Sequence, residues 1–239
     1  MTRRRWIADD FSRDCATLTG AHATHLSRTL RARVGQRFEV VCGDRVRNAT
    51  VSSVSDDRVE FALGEEIAAS ETVPITLLLA IFKFDRMEWA IEKCTELNVH
   101  RIIPVLARRT EKHLALASVK RVERWQRIAR QAAEQSRRIA PPKICEPMKL
   151  AHALNCDADL RVVLTEQRCE TTLTEVLQRG CHATSLALAV GPEGGWTADE
   201  LLSFAQSHWI NASLGETILR AETAAVAGLA IAKAEFKNR

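Results

Sequence analysis

No stretch of this sequence approaches the roughly 20 consecutive apolar residues needed to cross a bilayer as a helix. The opening Met1-Thr2-Arg3-Arg4-Arg5-Trp6 is basic but runs at once into Asp9 and Asp10, without the apolar core of a secretory signal. A cytoplasmic protein is expected. None of the seven cysteines (Cys15, Cys42, Cys94, Cys145, Cys156, Cys169, Cys181) stands in a C-x-x-C pair, and the seven histidines show no ligand spacing with them. That pattern suits small buried thiols in a reducing compartment and argues against a metal site. Also missing are H-E-x-x-H, the G-x-S-x-G nucleophile elbow, a Walker P-loop and a G-x-G-x-x-G after a strand. Hydrolases, kinases and Rossmann dehydrogenases therefore lose their usual marks.

What is present begins with uneven charge. The net charge is only +4, but residues 101–143 hold 12 basic and 3 acidic side chains, while residues 144–239 hold 8 and 12. Residues 1–72 balance, yet Arg28, Arg31, Arg33, Arg37, Arg45 and Arg47 crowd against only Glu39 and Asp44. Two concentrated basic regions suit a polyanionic partner. On charge alone, a solvated basic helix face serves equally well.

The pattern divides near residue 72. Before it lie short strand candidates, Phe38–Cys42, Asn48–Val51 and Arg58–Phe61, with turns at Gly43-Asp44 and Asp56-Asp57 and a short helix over His22–Arg31. From Pro74 onward, apolar runs alternate with amphipathic segments. Ile75–Phe82, Val99–Leu106, Leu160–Thr165, Leu186–Val190 and Trp209–Leu214 read as strands buried on both faces. Asp85–Leu97, Val119–Arg138, Thr172–Gln178 and an Ala-rich segment from Thr223 read as helices. The alternation predicts an α/β domain with a parallel sheet covered on both sides. In the helix over Val119–Arg138, Val122, Trp125, Ile128, Ala129, Ala132 and Ala133 share one side, and Lys120, Arg124, Arg127, Gln131 and Arg138 the other.

Two loops carry the strongest signal. Gly191-Pro192-Glu193-Gly194-Gly195 follows one apolar run, and Leu214-Gly215-Glu216-Thr217-Ile218-Leu219-Arg220-Ala221-Glu222-Thr223 follows the next. Glycine-bearing turns at the carboxyl ends of neighbouring strands are where open α/β sheets bind ligands. Gly194 and Gly195 permit close backbone approach or positive φ. Thr197 and Glu200 have the spacing of a capping box. Arg220 and Glu222 place a guanidinium and a carboxylate on one loop. A strand-to-helix turn braced by an Arg–Glu pair is the plain structural alternative.

These segments resemble the two C-terminal motifs of the 16S ribosomal RNA uracil-N3 methyltransferases, the RsmE-type branch of the SPOUT, or α/β-knot, class. The resemblance extends to Lys83 with Asp85-Arg86-Met87-Glu88-Trp89, to Lys93-Cys94-Thr95-Glu96-Leu97-Asn98-Val99, to Arg124-Trp125-Gln126-Arg127 and to His25-Leu26 with Arg28, Leu30 and Arg31. Asn98 stands where such proteins usually have Gly, and Glu216 where they often have Pro. The resemblance implies a PUA-like RNA-binding β-barrel over residues 1–72 and, over 73–239, a SPOUT methyltransferase domain with a deep trefoil knot. It also implies S-adenosylmethionine as cofactor, a homodimer, and 16S rRNA or the small ribosomal subunit as partner, with neither membrane nor metal. Carried onto this chain, cofactor contacts fall to Leu164, Thr165, Gly191, Glu193, Gly194, Gly195, Leu214, Gly215, Ile218, Leu219 and Thr223. Arg220 takes the electrostatic role and Glu222 the base or orienting role, with Glu193 able to fill the same place. Arg28, Arg31, Arg124, Arg127 and Arg138 become candidates for phosphate contact, which gives affinity and not base choice. A non-catalytic RNA-binding factor, or the same fold acting on a ribose 2′-hydroxyl, are the competing readings. Intact Gly194, Gly195 and Arg220 speak against the first.

Overall fold

The computed structural model describes residues 5–67, 73–166 and 171–237. Cys169 and Thr72, the expected end of the first domain, lie outside the described residues. The chain forms two compact units, residues 1–71 with 130–141 and residues 72–129 with 142–239.

The first unit holds strands β1 (Arg5–Ile7), β2 (Asp10–Phe11) and β3 (Cys15–Thr19), helix α1 (Gly20–Thr24), and strands β4 (Arg37–Cys42), β5 (Arg45–Val54) and β6 (Arg58–Ile67). They form one sheet in the order β1-β4-β5-β6-β3-β2. All its pairs are antiparallel except β1 with β4. Gly43-Asp44 makes the β4–β5 hairpin as expected. Cys42 pairs with Arg45 across it, and Gly43 sits at φ +67°, a conformation that a two-residue hairpin loop requires. Trp6, Leu18, Leu26, Val40, Val59 and Phe61 fill the interior. The helix expected over His22–Arg31 is distorted. α1 passes into a π-helical turn over His25–Thr29, and Arg31 ends it at φ +51°.

In the second unit, β7 (Ile75–Ala80) leads to α2 (Phe84–Glu96) and β8 (Arg101–Leu106), then to α3 (Lys112–Ser118) and α4 (Val122–Gln135), whose last turns fall in the first unit. β9 (Lys143–Ile144), β10 (Met148–Lys149), α5 (Leu150–Ala153), β11 (Leu160–Leu164), α6 (Leu173–Arg179), β12 (Leu186–Val190), α7 (Ala198–Gln206), β13 (Ile210–Ala212) and α8 (Ala221–Lys237) follow. The sheet is parallel throughout, in the order β10-β8-β7-β12-β11-β13, with β9 beside β8. Side chains alternate across it. Leu77, Leu79, Leu188 and Val190 meet α2 and α8 on one face. Leu78, Ala80, Ala187 and Ala189 meet the other cluster, where Trp196, Phe204 and Trp209 stack edge to face at 4.9 and 5.2 Å. Small alanines on β12 leave room for those three rings.

Two expectations change. The two motif-bearing strands, β12 and β13, are not neighbours, because β11 lies between them and α7 carries the chain past it. The helix expected over Val119–Arg138 opens as a 3₁₀ turn over Val119–Arg121, directly after α3, and continues as α4 only to Gln135, with Arg137 at φ +61° beyond its end. Its packing face holds, since Val122, Trp125, Ala129, Ala132 and Ala133 are buried. Asn98 follows α2 at φ +66°, and asparagine is the residue that next best replaces glycine there.

Candidate functional site

The carboxyl ends of β11, β12 and β13 lie side by side. Val163 pairs with Ala189 on one flank and Leu164 with Ala212 on the other. The loops beyond them are tied together. Thr165 N–H donates to the Ala212 carbonyl at 3.1 Å, Ser213 N–H to Thr171 at 3.0 Å, and Leu173 N–H to Ser213 at 2.9 Å. Capping boxes start both following helices, Thr172 with Glu175 for α6 and Thr197 with Glu200 for α7. Gly195 sits at φ +69° and closes a turn by donating to the Pro192 carbonyl at 2.8 Å. A Cβ on Gly191 would come 3.2 Å from Trp196 Nε1, so the glycine lets the strand end pass over the indole.

These loops enclose a cavity of about 640 Å³, within the roughly 300–1,000 Å³ of small-molecule sites. Of the residues expected there, Leu164, Thr165, Gly191, Gly195, Leu214, Gly215, Ile218 and Leu219 line it. Glu193, Gly194 and Thr223 are not among the lining residues. Glu193 turns to Arg86, the Gly194 carbonyl accepts a hydrogen bond from the Arg109 guanidinium, and Thr223 is exposed on α8. Glu166, Thr172, Trp196 and Ser213 also line the cavity. For Thr172 the three-residue spacing to Glu175 is a capping-box signal that went unread, and Ser213 follows directly after β13. For Glu166 and Trp196 the sequence offered no signal.

Beside the cavity three charged groups converge. Arg86, in the first turn of α2, donates to Glu193 Oε1 at 2.6 Å, and its Nε stands 3.8 Å from Glu222 Oε1. Glu222 belongs to the first turn of α8, between lining residues Ala221 and Ala224, and is only 9% exposed. Its Oε2 is buried with no hydrogen-bond partner among the described residues. Arg220, one residue before the helix, is exposed.

The candidate phosphate contacts are scattered over the two units. Arg28 is paired with Asp56 at 2.7 Å, a hydrogen bond that raises its pKa. Arg31 is exposed. In the other unit, Arg124 grips Glu88 through two hydrogen bonds of 2.6 and 2.8 Å, again raising its pKa, and Arg127 is exposed. Arg138 is half-buried, and burial pushes its guanidinium down to about 10. Arg124, Arg127 and Arg31 thus offer charge at the surface, Arg138 much less.

Residues 69–233 match the model of the RNA methyltransferase domain family. A ribosomal RNA small subunit methyltransferase E of Synechocystis sp. is 32% identical over 218 residues, covering 90% of this chain and 71% of its own. The chain belongs to the ribosomal RNA small subunit methyltransferase E family. Its Bacillus subtilis member is 30% identical over 218 residues, covering 87% of this chain and 85% of its own. A crystal structure of a ribosomal RNA small subunit methyltransferase E from Neisseria gonorrhoeae, bound to S-adenosyl methionine, superposes with a TM-score of 0.84 at 27% identity over 95% of each chain.

Proposed function

We propose that this protein is an S-adenosylmethionine-dependent methyltransferase that methylates N3 of a specific uridine in the 16S rRNA of the small ribosomal subunit. The carrying observation is the cavity at three parallel strand ends with a buried, half-used carboxylate beside it. Its chemistry fits the cofactor. Leu164, Leu214, Ile218 and Leu219 give apolar walls for an adenine, while Thr165, Thr172, Ser213 and Glu166 supply hydroxyls and a carboxylate for its amino and ribose groups. The Trp196 indole, crossed by the Gly191 backbone, adds an aromatic surface to the wall. When bound, S-adenosylmethionine supplies an electrophilic methyl group on a sulfonium.

The rest of the reaction falls to the chain and the RNA. Uracil N3 is an imide that carries its proton near neutral pH, so that proton has to leave as the nitrogen takes the methyl group. The Glu222 carboxylate receives it and becomes a carboxylic acid. Arg220 faces the charge that builds on the ring carbonyls. N3 lies on the Watson–Crick edge, so the target base must be unpaired or flipped out. The same reading carries a trefoil knot in the second unit, a PUA-like barrel in the first, a homodimer and a cytoplasmic location. Arg28, Arg31, Arg124 and Arg127 hold phosphates.

The test is incubation with labelled S-adenosylmethionine and small subunits from cells lacking any endogenous equivalent, followed by nucleoside mass analysis. Label on N3 of one uridine is expected. Label on a ribose oxygen or another base would refute the assignment of the nucleophile, and cofactor binding without any label would favour a non-catalytic RNA-binding factor.

A further inference from the structure

We infer that Arg86 is a positioning residue for Glu222. The inference rests on the methyl-transfer reading above and adds a residue to it. Three elements meet at this guanidinium: the first turn of α2, the loop after β12 that carries Glu193, and the first turn of α8 that carries Glu222. The contacts are unequal. Glu193 is bound at 2.6 Å as an anchor, whereas Glu222 Oε1 is held at 3.8 Å, ion-pair distance without a hydrogen bond.

This asymmetry assigns the roles. A buried carboxylate oxygen without a partner costs free energy, and native structures keep few of them. Glu222 keeps one, Oε2, while Oε1 faces the guanidinium. Arg86 therefore orients the carboxylate through one oxygen, while the other has no partner to hold its charge, a state that favours taking up a proton. Its own placement is set by Glu193, whose loop also forms the cavity wall through Gly191, Pro192 and Gly195. The cavity wall and the proton acceptor are thus referenced to one side chain. If Arg86 merely braced two loops, its removal would act on folding or on cofactor affinity and would be indifferent to what stands at position 222.

A double-mutant cycle separates these cases. Arg86→Ala, Arg86→Lys, Glu222→Gln and the Arg86→Ala/Glu222→Gln pair are assayed for kcat and KM on small subunits. S-adenosylmethionine Kd is measured by calorimetry and folding by thermal unfolding. We expect Arg86→Ala to lower kcat 10- to 100-fold with cofactor Kd within 2-fold of the unaltered protein. Arg86→Lys, which keeps the charge but not the fork, should restore several-fold of that loss. In the Glu222→Gln background, Arg86→Ala should cost less than 3-fold. Equal losses in both backgrounds, or a Kd that weakens in step with kcat, would overturn the role of Arg86 and leave the methyltransferase reading intact. Full turnover by Glu222→Gln would overturn the positioning role together with the base it serves. An unaltered protein that methylates no uridine N3 would overturn both the role and the proposed function.

Discussion

Removing the Glu200 side chain should be far more damaging than its place in an ordinary helix cap suggests. The carboxylate is 6% exposed. Oε2 accepts from the Thr197 amide at 2.8 Å and the Thr197 hydroxyl at 3.0 Å, while Oε1 accepts from the Arg108 amide at 2.8 Å. Glu200→Ala strands two backbone N–H groups, each costing about 1–3 kcal/mol when left unmade. Relief of the buried charge offsets part of that, which leaves a net loss of about 2–4 kcal/mol. At about 2–4 °C per kcal/mol for a chain of this size, the melting temperature should fall by roughly 5–15 °C. Thr197→Ala removes only the cap acceptor for Glu200 N–H and the hydroxyl donor, and should cost about 1 kcal/mol. The two variants should not be additive, since they share one hydrogen-bonded unit. Because the glycine loop after β12 ends at Thr197, Glu200→Ala should also weaken S-adenosylmethionine binding in calorimetry. Urea unfolding of both variants checks the argument, and a Glu200→Ala loss no larger than that of Thr197→Ala would refute it.

Other expectations follow from close approach and burial. Gly228 lies in α8 where a Cβ would come 3.0 Å from Leu188 and 3.1 Å from Leu164; Gly228→Ala should lose about 1 kcal/mol in urea unfolding, overpacking outweighing the helix-propensity gain. Gly195, at φ +69°, has no backbone clash, so Gly195→Ala should cost about 1–2 kcal/mol through strain alone and Gly195→Asn less. Burial pushes the Cys94 thiol from 9.0 up to about 12. Its folded pKa is above the unfolded one, so the stability it contributes is complete below about pH 9 and is lost as pH rises toward about 12; Cys94→Ala should flatten that alkaline slope in pH-dependent unfolding. Exposed Cys15 and Cys181 should alkylate long before Cys94 by mass analysis.

The parallel sheet was legible because burial on both faces writes itself as unbroken apolar runs; Leu186–Val190 was read to the residue. The cap at Thr197 was legible for a similar reason, since a capping box is a three-residue spacing. What escaped was contact between distant segments. Arg108 meets Glu200 across 92 residues and Arg86 meets Glu193 across 107. No local periodicity records either. The three-residue β1 is too short to show alternation, and its parallel pairing with β4 had no trace in sequence. Eight of the eleven expected cofactor contacts lie on the cavity wall, and the exceptions share a cause. Sequence places Glu193 and Gly194 on the loop after β12 and Thr223 at the start of α8, but only the backbone path decides which way each faces.

The position of β13 has a consequence for how the protein is made. Among the described strands it is the last in chain order, it is three residues long, and it caps the sheet beside β11. A nascent chain that has already laid down β7, β8, β11 and β12 still carries β11 as an open edge, able to pair with another chain. The ligand cavity has no third wall until Ser213–Leu219 has left the ribosome. The methyl donor therefore has no complete site until the β13 loop and the first turn of α8, with Ala221 and Ala224, are also in place.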